Sequence, residues 1–357
     1  MDLDAVVANW RSLADRVGNA ECAAVVKADA YGIGSAEVAK CLKHAGCRSF
    51  FVASLDEGIM LRHTIGANAH IYVFNGLFDK HAVGEFGANR LIPVLNSPGD
   101  IALWSAYAQD TGGQRGVLAI DTGMQRLGLT PDEARDLSNQ RQNLSGITVD
   151  FVMSHLACAD DRTHPMNSRQ QILFDQLLAN LSPLNASLAN SAGIFLGPSF
   201  HYNLVRPGAA LYGISPDKNH PQKIQQVVGL KGKIIQIRVV DNETSVGYGA
   251  EEIVPKNTRL ATVAVGYADG ILRSLGNKGC GYAAGIEVPI VGRVSMDLTT
   301  FDITHVAPGR LSPGDEIDLI CAQHTVDDLA SEAGTIGYEV LTALGTRYQR
   351  RYLGGTK

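Results

Sequence analysis

The chain has 357 residues, with 31 Lys+Arg against 36 Asp+Glu, a formal net charge of −5 and 45% hydrophobic residues. That balance excludes a disordered chain and the strongly basic footprint of a nucleic-acid or anionic-membrane partner. There is no apolar run of bilayer-spanning length and no export-type N-terminus, and the scattered cysteines (Cys22, Cys41, Cys47, Cys158, Cys280, Cys321) form no CxxC pair, so the expectation is a cytoplasmic globular enzyme with reduced thiols.

In chain order, short apolar runs rich in β-branched residues recur at 23–27, 50–54, 70–75, 91–96, 116–121, 147–155, 186–190 and 202–206. Between most of them lie amphipathic, Ala- and Leu-rich stretches, among them 35–44, 55–63, 131–140 and 168–181. Strands alternating with helices indicate βα units and a parallel sheet. Eight such runs favour a closed (β/α)8 barrel of the TIM type over an open doubly wound sheet. After Pro216 and Asp217 the texture changes. From Lys231 helical periodicity disappears, and strand-like runs at 234–240, 260–265, 288–291 and 317–321 are divided by Gly, Pro and Asn turns. This predicts a mostly antiparallel β domain, closed by a helix over 337–352. The predicted division is a barrel at residues 1–222 and a β domain at residues 223–357.

Barrel enzymes carry their chemistry at the C-terminal ends of the strands. Here the first strand ends in Lys27-Ala28-Asp29-Ala30-Tyr31, the fifth runs into Asp121–Arg126, the sixth ends in His155, the seventh in Asn190-Ser191 and the eighth in Arg206-Pro207-Gly208-Ala209. A lysine following apolar strand residues either snorkels to the rim or stands desolvated, with a depressed pKa, as an amine or Schiff-base nucleophile. Barrels commonly bind phosphate in the loops after strands seven and eight. A lysine on strand one opposite such a cup is the arrangement a pyridoxal phosphate enzyme needs.

The segment VVKADAYGIG around Lys27 resembles the pyridoxal-phosphate attachment signature of bacterial alanine racemases. IDTGMQRLGL, SHLACAD, LANSAGIF, VRPGAALYG, VGYGA, VAVGYADG, GRVSMD and GYEVLTALGTRYQRRY resemble further segments of that family, in the family's order and across nearly the whole chain. The resemblance implies that pyridoxal 5'-phosphate is the cofactor and that alanine is racemised to supply D-alanine for peptidoglycan. By motif, Lys27 carries the cofactor and serves as one base, and Tyr248 is the other. The phosphate falls to Tyr31, Ser191, Tyr338 and the backbone at Gly208 and Ala209. Arg206 faces the pyridine nitrogen, His155 packs on the ring, and Arg126 and the backbone at Met296 meet the substrate carboxylate. The resemblance also implies a homodimer whose active sites combine one subunit's barrel with its partner's β domain. Tyr338, Tyr248 and Met296 would favour a methyl-sized side chain, with serine a minor substrate.

Physical chemistry supports these roles. Racemisation removes a proton from one face of a carbon and returns one to the other, so two bases must flank it. Lysine and tyrosine are both protonated at neutral pH when unperturbed, so burial or nearby positive charge must lower one of them; Arg206, acting through His155, is a source of such a field for Tyr248. An arginine keeps the pyridine nitrogen unprotonated and restrains side reactions such as transamination. It also argues against a decarboxylase on the same scaffold, and the second domain with Tyr248 argues against a non-catalytic cofactor carrier.

Three positions depart from the family pattern. A lysine that braces the substrate arginine in many relatives is Ala119, a histidine often found behind the pyridine arginine is Ser187, and the chain starts where relatives have already made a first strand. Tyr267, Arg273, Asp160 and Arg293 divide between gating the substrate entrance and plain surface salt-bridging. The remaining histidines (His44, His63, His70, His81, His164, His201, His220, His305, His324) show no HxxxH or paired spacing and read as structural or exposed, so no metal is expected.

Overall fold

The structure is a computed structural model that describes residues 1–77, 80–181, 184–217 and 224–355. It divides into two units: Leu3–Ala30 with Gly34–Gln225 and the tail from Gly355, and Gln226–Gly354 with Met1–Asp2 and Tyr31–Ile33. The expected boundary at 222/223 and His220 fall in 218–223, outside the described residues.

The first unit is a parallel barrel. Strands β2 (Ala24–Val25), β3 (Ser49–Val52), β4 (His70–Val73), β5 (Ile92–Leu95), β6 (Gln114–Ala119), β7 (Ile147–Met153), β8 (Ala186–Ser187) and β9 (Leu204–Val205) fall on the eight expected runs, and a further short strand, β1 (Glu21–Cys22), precedes the first of them. β2 to β8 pair in sequence order as one seven-stranded sheet. β9 closes it. Asn203 N donates to Ala186 O (3.0 Å) and Arg206 N to Ala189 O (2.9 Å) on one side. On the other, Glu21 N donates to Asn203 O (2.8 Å) and Ala23 N to Val205 O (3.0 Å). Covered on both faces over most of their length, these strands are mainly apolar: all four residues of β3 are buried, while β6 and β7 start with exposed Arg115 and Thr148 before their buried apolar ends. Inside the barrel Phe51 stacks on Tyr72 (centroids 4.7 Å) and on Phe74 (5.0 Å), and Tyr72 meets Phe151 edge-on (5.2 Å). Each large side chain buried in this way stabilises by about 1.5–3 kcal/mol.

The outer helices start where local chemistry tells them to. Ser54, Ser97 and Thr130 cap the helices Leu55–Ile65, Pro98–Asp110 and Pro131–Asn139 by accepting from the backbone N–H three residues on. Pro98 and Pro131 occupy first-turn positions, where a missing N–H costs nothing. No helix among the described residues is long and apolar enough to cross a membrane.

In the second unit, β10 (Leu230–Val239), β13 (Arg259–Val263), β14 (Cys280–Ala283), β15 (Ile286–Pro289), β16 (Thr299–Asp302) and β17 (Glu316–Ile320) form an antiparallel sheet in the order β15-β14-β17-β10-β13-β16. A bridge between Ile290 and Phe301 brings its two edges together, so the sheet nearly closes. β11 (Thr244–Val246) and β12 (Glu252–Val254) make a separate ribbon. Asp2 bridges to Leu353. Two expectations are corrected. A helix forms over Val326–Ala333, in a region read as lacking helical periodicity, because Thr325 and Asp328 make a reciprocal capping box that starts two turns with Val326, Leu329 and Ala330 buried. The closing helix spans only Gly337–Ala343: Leu344 turns extended (ψ 112) and Gly345 N is taken up by Asp269 O (3.3 Å).

Candidate active site

The mouth of the barrel holds a cavity of about 260 Å³ whose lining includes Lys27, Phe74, Asn96, Asp121, Arg126 and His155. Lys27 directly follows the buried strand-end residue Val26, and its Nζ lies 5.9 Å from the Phe74 ring centroid, above the aromatic stack. Burial lowers its pKa; the Arg126 charge adds to that and Glu57 opposes it.

The backbone after Lys27 is strained. Ala28, Asp29, Ala30 and Tyr31 have φ of 52°, 53°, 52° and 57°, a left-handed turn made without glycine. Each such residue costs about 1–2 kcal/mol, so the turn needs support. Glu57 accepts from Ala28 N through Oε1 and from Ala53 N through Oε2, both at 2.7 Å, and Asp29 Oδ1 accepts from Ser35 N (2.7 Å). Glu57 was not singled out from the sequence. Its only signal there is the pattern Ser54-x-x-Glu57, which reads as a helix start.

Arg206, directly after β9, is 2% exposed. Nη1 donates to Ser187 Oγ, and Nη2 donates to Ser154 O (2.6 Å) and Leu188 O (3.3 Å). Ser187 Oγ in turn donates to Leu204 O (2.6 Å), so this serine anchors the arginine to the barrel. Nε of Arg206 is buried with no hydrogen-bond partner among the described residues. Burial pulls the guanidinium down to about 9, still protonated at neutral pH. His155 is held neutral: burial first, then the charges of Arg206, Arg126 and Lys27, lower it to about 3. Beneath it Gln170, fully buried, donates to His155 O (2.8 Å) and accepts from Ala157 N (2.9 Å). Gln170 was also missed, because a lone glutamine on a helix carries no signal of its destination.

Ser191 Oγ accepts from Gly208 N (2.9 Å) and Ala210 N (3.2 Å), which leaves its own O–H to donate elsewhere. Ala209 opens the short turn Ala209–Tyr212 beside it. The loop carrying Arg126 is fixed by Asp121 Oδ1, which accepts from Gly123 N (2.7 Å) and Met124 N (2.8 Å). Ala119 lines the same cavity.

The remaining expected site residues lie in the second unit. Tyr31 and Tyr338 have ring centroids 5.9 Å apart. Tyr248 is 73% exposed on a turn between Gly247 (φ 77°) and Gly249 (φ 83°). That turn lies against Arg293: a Cβ on Gly247 would stand 3.5 Å from its backbone N. Met296, three residues on, is 54% exposed, and its carbonyl accepts from Ala268 N (2.9 Å) beside exposed Tyr267. Arg293 pairs with Glu251 (Nε–Oε2 2.8 Å), a surface ion pair. Asp160 and Arg273 are exposed. The structure thus gathers Lys27, Arg126, His155, Arg206, Ser191, Gly208 and Ala209 in one unit, and Tyr31, Tyr248, Met296 and Tyr338 in the other.

Comparison with known proteins decides the family. The models "Alanine racemase, N-terminal domain" and "Alanine racemase, C-terminal domain" match residues 1–216 and 227–352. The chain belongs to the alanine racemase family. It is 48% identical to an alanine racemase of Rhodospirillum rubrum over 99% of this chain and 95% of that protein, and 44% identical to a catabolic alanine racemase of Mesorhizobium japonicum over 99% and 93%. A crystal structure of alanine racemase from Bartonella henselae with covalently bound pyridoxal phosphate superposes with a TM-score of 0.95 at 38% identity, covering 99% of this chain and 98% of that one. The chain is an amino-acid racemase, as its strand-end motifs imply.

Proposed function

We propose that this chain interconverts L- and D-alanine with pyridoxal 5'-phosphate, using Lys27 and Tyr248 as opposing bases. The carrying observation is the buried Nε of Arg206, which has no hydrogen-bond partner among the described residues. A buried N–H without an acceptor costs about 1–3 kcal/mol, and a pyridine nitrogen is an acceptor that a guanidinium satisfies without surrendering its proton. Lys27 Nζ would hold the cofactor's aldehyde carbon, and Ser191 O–H with the backbone of Gly208 and Ala209 would hold the phosphate. Tyr31 and Tyr338 are further phosphate donors by family resemblance, and His155, kept neutral, would pack on the ring. When bound, the cofactor supplies the electron sink that makes an α-proton removable.

The rest is done by the chain's own groups. Burial and the Arg126 charge favour the neutral amine of Lys27, which accepts a proton on one face of the α-carbon. Tyr248 serves the other face: in the L-to-D direction it takes the α-proton and Lys27 returns one, and in the reverse direction they exchange roles. Arg126 pairs with the substrate carboxylate together with the backbone at Met296. A homodimer with shared sites accounts for the exposure of the large hydrophobic side chains Tyr248, Tyr267 and Met296. The six free cysteines fit a cytoplasmic setting. Supplying D-alanine for peptidoglycan is the role we assign; the catabolic name of the Mesorhizobium relative favours D-alanine breakdown as the second reading.

The test is chiral analysis of products from L-alanine, L-serine and L-lysine with cofactor-loaded protein. The reading requires D-alanine as the fastest product. Cofactor absorbance without turnover, or faster turnover of serine or lysine, overturns it. Loss of growth without D-alanine in a gene deletion separates the supply role from breakdown.

A further inference from the structure

The second unit carries three converging side chains that the racemase chemistry does not use. Cys280 opens β14, His324 follows β17 across a tight turn, and Glu332 lies on the helix Val326–Ala333. Cys280 and His324 are 8% and 3% exposed, and Glu332 is half-buried at the edge of the cluster. Cys280 Sγ stands 3.4 Å from Glu332 Oε1 and 3.9 Å from His324 Nε2, and Nε2 stands 3.1 Å from Oε1.

These separations suit one ion. Zinc-class bonds of about 2.3 Å to sulfur and about 2.0–2.2 Å to nitrogen and oxygen, at tetrahedral angles, require ligand atoms roughly 3.3–3.6 Å apart. The observed edges scatter about that range. The donors are also oriented from behind. His324 Nδ1 lies 2.8 Å from Leu319 O, which can only accept, so Nδ1 carries the proton and Nε2 points into the cluster. Glu332 Oε2 accepts from Cys280 N (3.2 Å), which turns Oε1 inward. Outer-shell hydrogen bonds of this kind accompany metal-ligating histidines and carboxylates.

We propose that Cys280, His324 and Glu332 form a binding site for one divalent cation of zinc-like softness, with water as the fourth ligand. Thiolate and imidazole select zinc or cobalt over magnesium or calcium. On binding, the Cys280 thiol gives its proton to solvent and the sulfur–metal bond takes its place. The ion joins β14, the turn after β17 and the helix Val326–Ala333, so it acts as a structural clamp on the β domain, far along the chain from Lys27 and Arg206.

The test uses the full-length, cofactor-loaded protein, stripped with a chelator and titrated with Co²⁺ alone, then Zn²⁺. The site predicts one Co²⁺ per chain, a near-ultraviolet thiolate-to-cobalt absorption, tetrahedral visible bands, and displacement of all three signals by Zn²⁺. Cys280→Ser should abolish the thiolate band while circular dichroism stays native. Glu332→Gln, at the half-buried position, should weaken Co²⁺ binding about tenfold or more and serves if Cys280→Ser misfolds. No stoichiometric Co²⁺ uptake by the parent protein, a full thiolate band in folded Cys280→Ser, or unchanged affinity in Glu332→Gln overturns the proposal.

Discussion

Glu57 Oε1 accepts a 2.7 Å hydrogen bond from the backbone N of Ala28, the residue immediately after Lys27. The contact does two things at once. It supports the first residue of a left-handed turn that four non-glycine side chains resist, and it sets a negative charge against the desolvation and Arg126 charge that lower Lys27. Glu57→Gln loses one of its two acceptor oxygens and the charge. The expected cost is about 1–3 kcal/mol in unfolding free energy, with weaker retention of the cofactor on dialysis. Unchanged stability and retention would remove Glu57 from the account.

Ser187 takes up one arm of Arg206 and returns the bond to Leu204 O. Ser187→Ala leaves a buried guanidinium N–H without an acceptor. The expected loss is about 1–3 kcal/mol in urea unfolding, together with a shifted cofactor absorption band. A shift in stability alone would mean that Ser187 props the barrel without setting Arg206 for the ring.

His155 gives the apoprotein a pH signature. Its folded-state pKa, about 3, lies below the ordinary 6.5. As the pH falls below 6.5 the unfolded chain takes up a proton that the native site refuses. Stability therefore falls toward acid, by up to about 1.4 kcal/mol per pH unit between about 6.5 and 3. Unfolding curves at several pH values should show a shallower slope for His155→Asn than for the parent. Equal slopes would contradict the neutral histidine.

A Cβ on Gly266 would lie 2.4 Å from the carbonyl oxygens of Ser295 and Met296. Gly266→Ala must push that loop away, at about 1–3 kcal/mol of overpacking. If the backbone at Met296 meets substrate, KM for alanine rises more than kcat falls. Equal kinetic parameters in a folded variant would move the substrate away from Met296.

The strands of the barrel were legible because both-face burial writes a continuous apolar run, as in Phe50-Phe51-Val52, and because Lys27, His155 and Arg206 stand at the ends of such runs. The family segments then carried the roles. What stayed hidden depends on distant partners. Glu57 looks like a capping residue and Gln170 like a surface helix residue until the fold delivers them to Ala28 and His155. The helix Val326–Ala333 is too short for its period to stand out, and only its cap marks it. Histidine spacing revealed no metal signature, since His324 meets Cys280 from 44 positions away and Glu332 from another element.

The two-base assignment is tested most directly by α-proton exchange in deuterated water with cofactor-loaded Tyr248→Phe. If Tyr248 takes the proton of L-alanine and Lys27 that of D-alanine, exchange from L-alanine falls about 10²–10⁴-fold, while exchange from D-alanine continues. Exchange from both enantiomers at the parent rate would contradict the account.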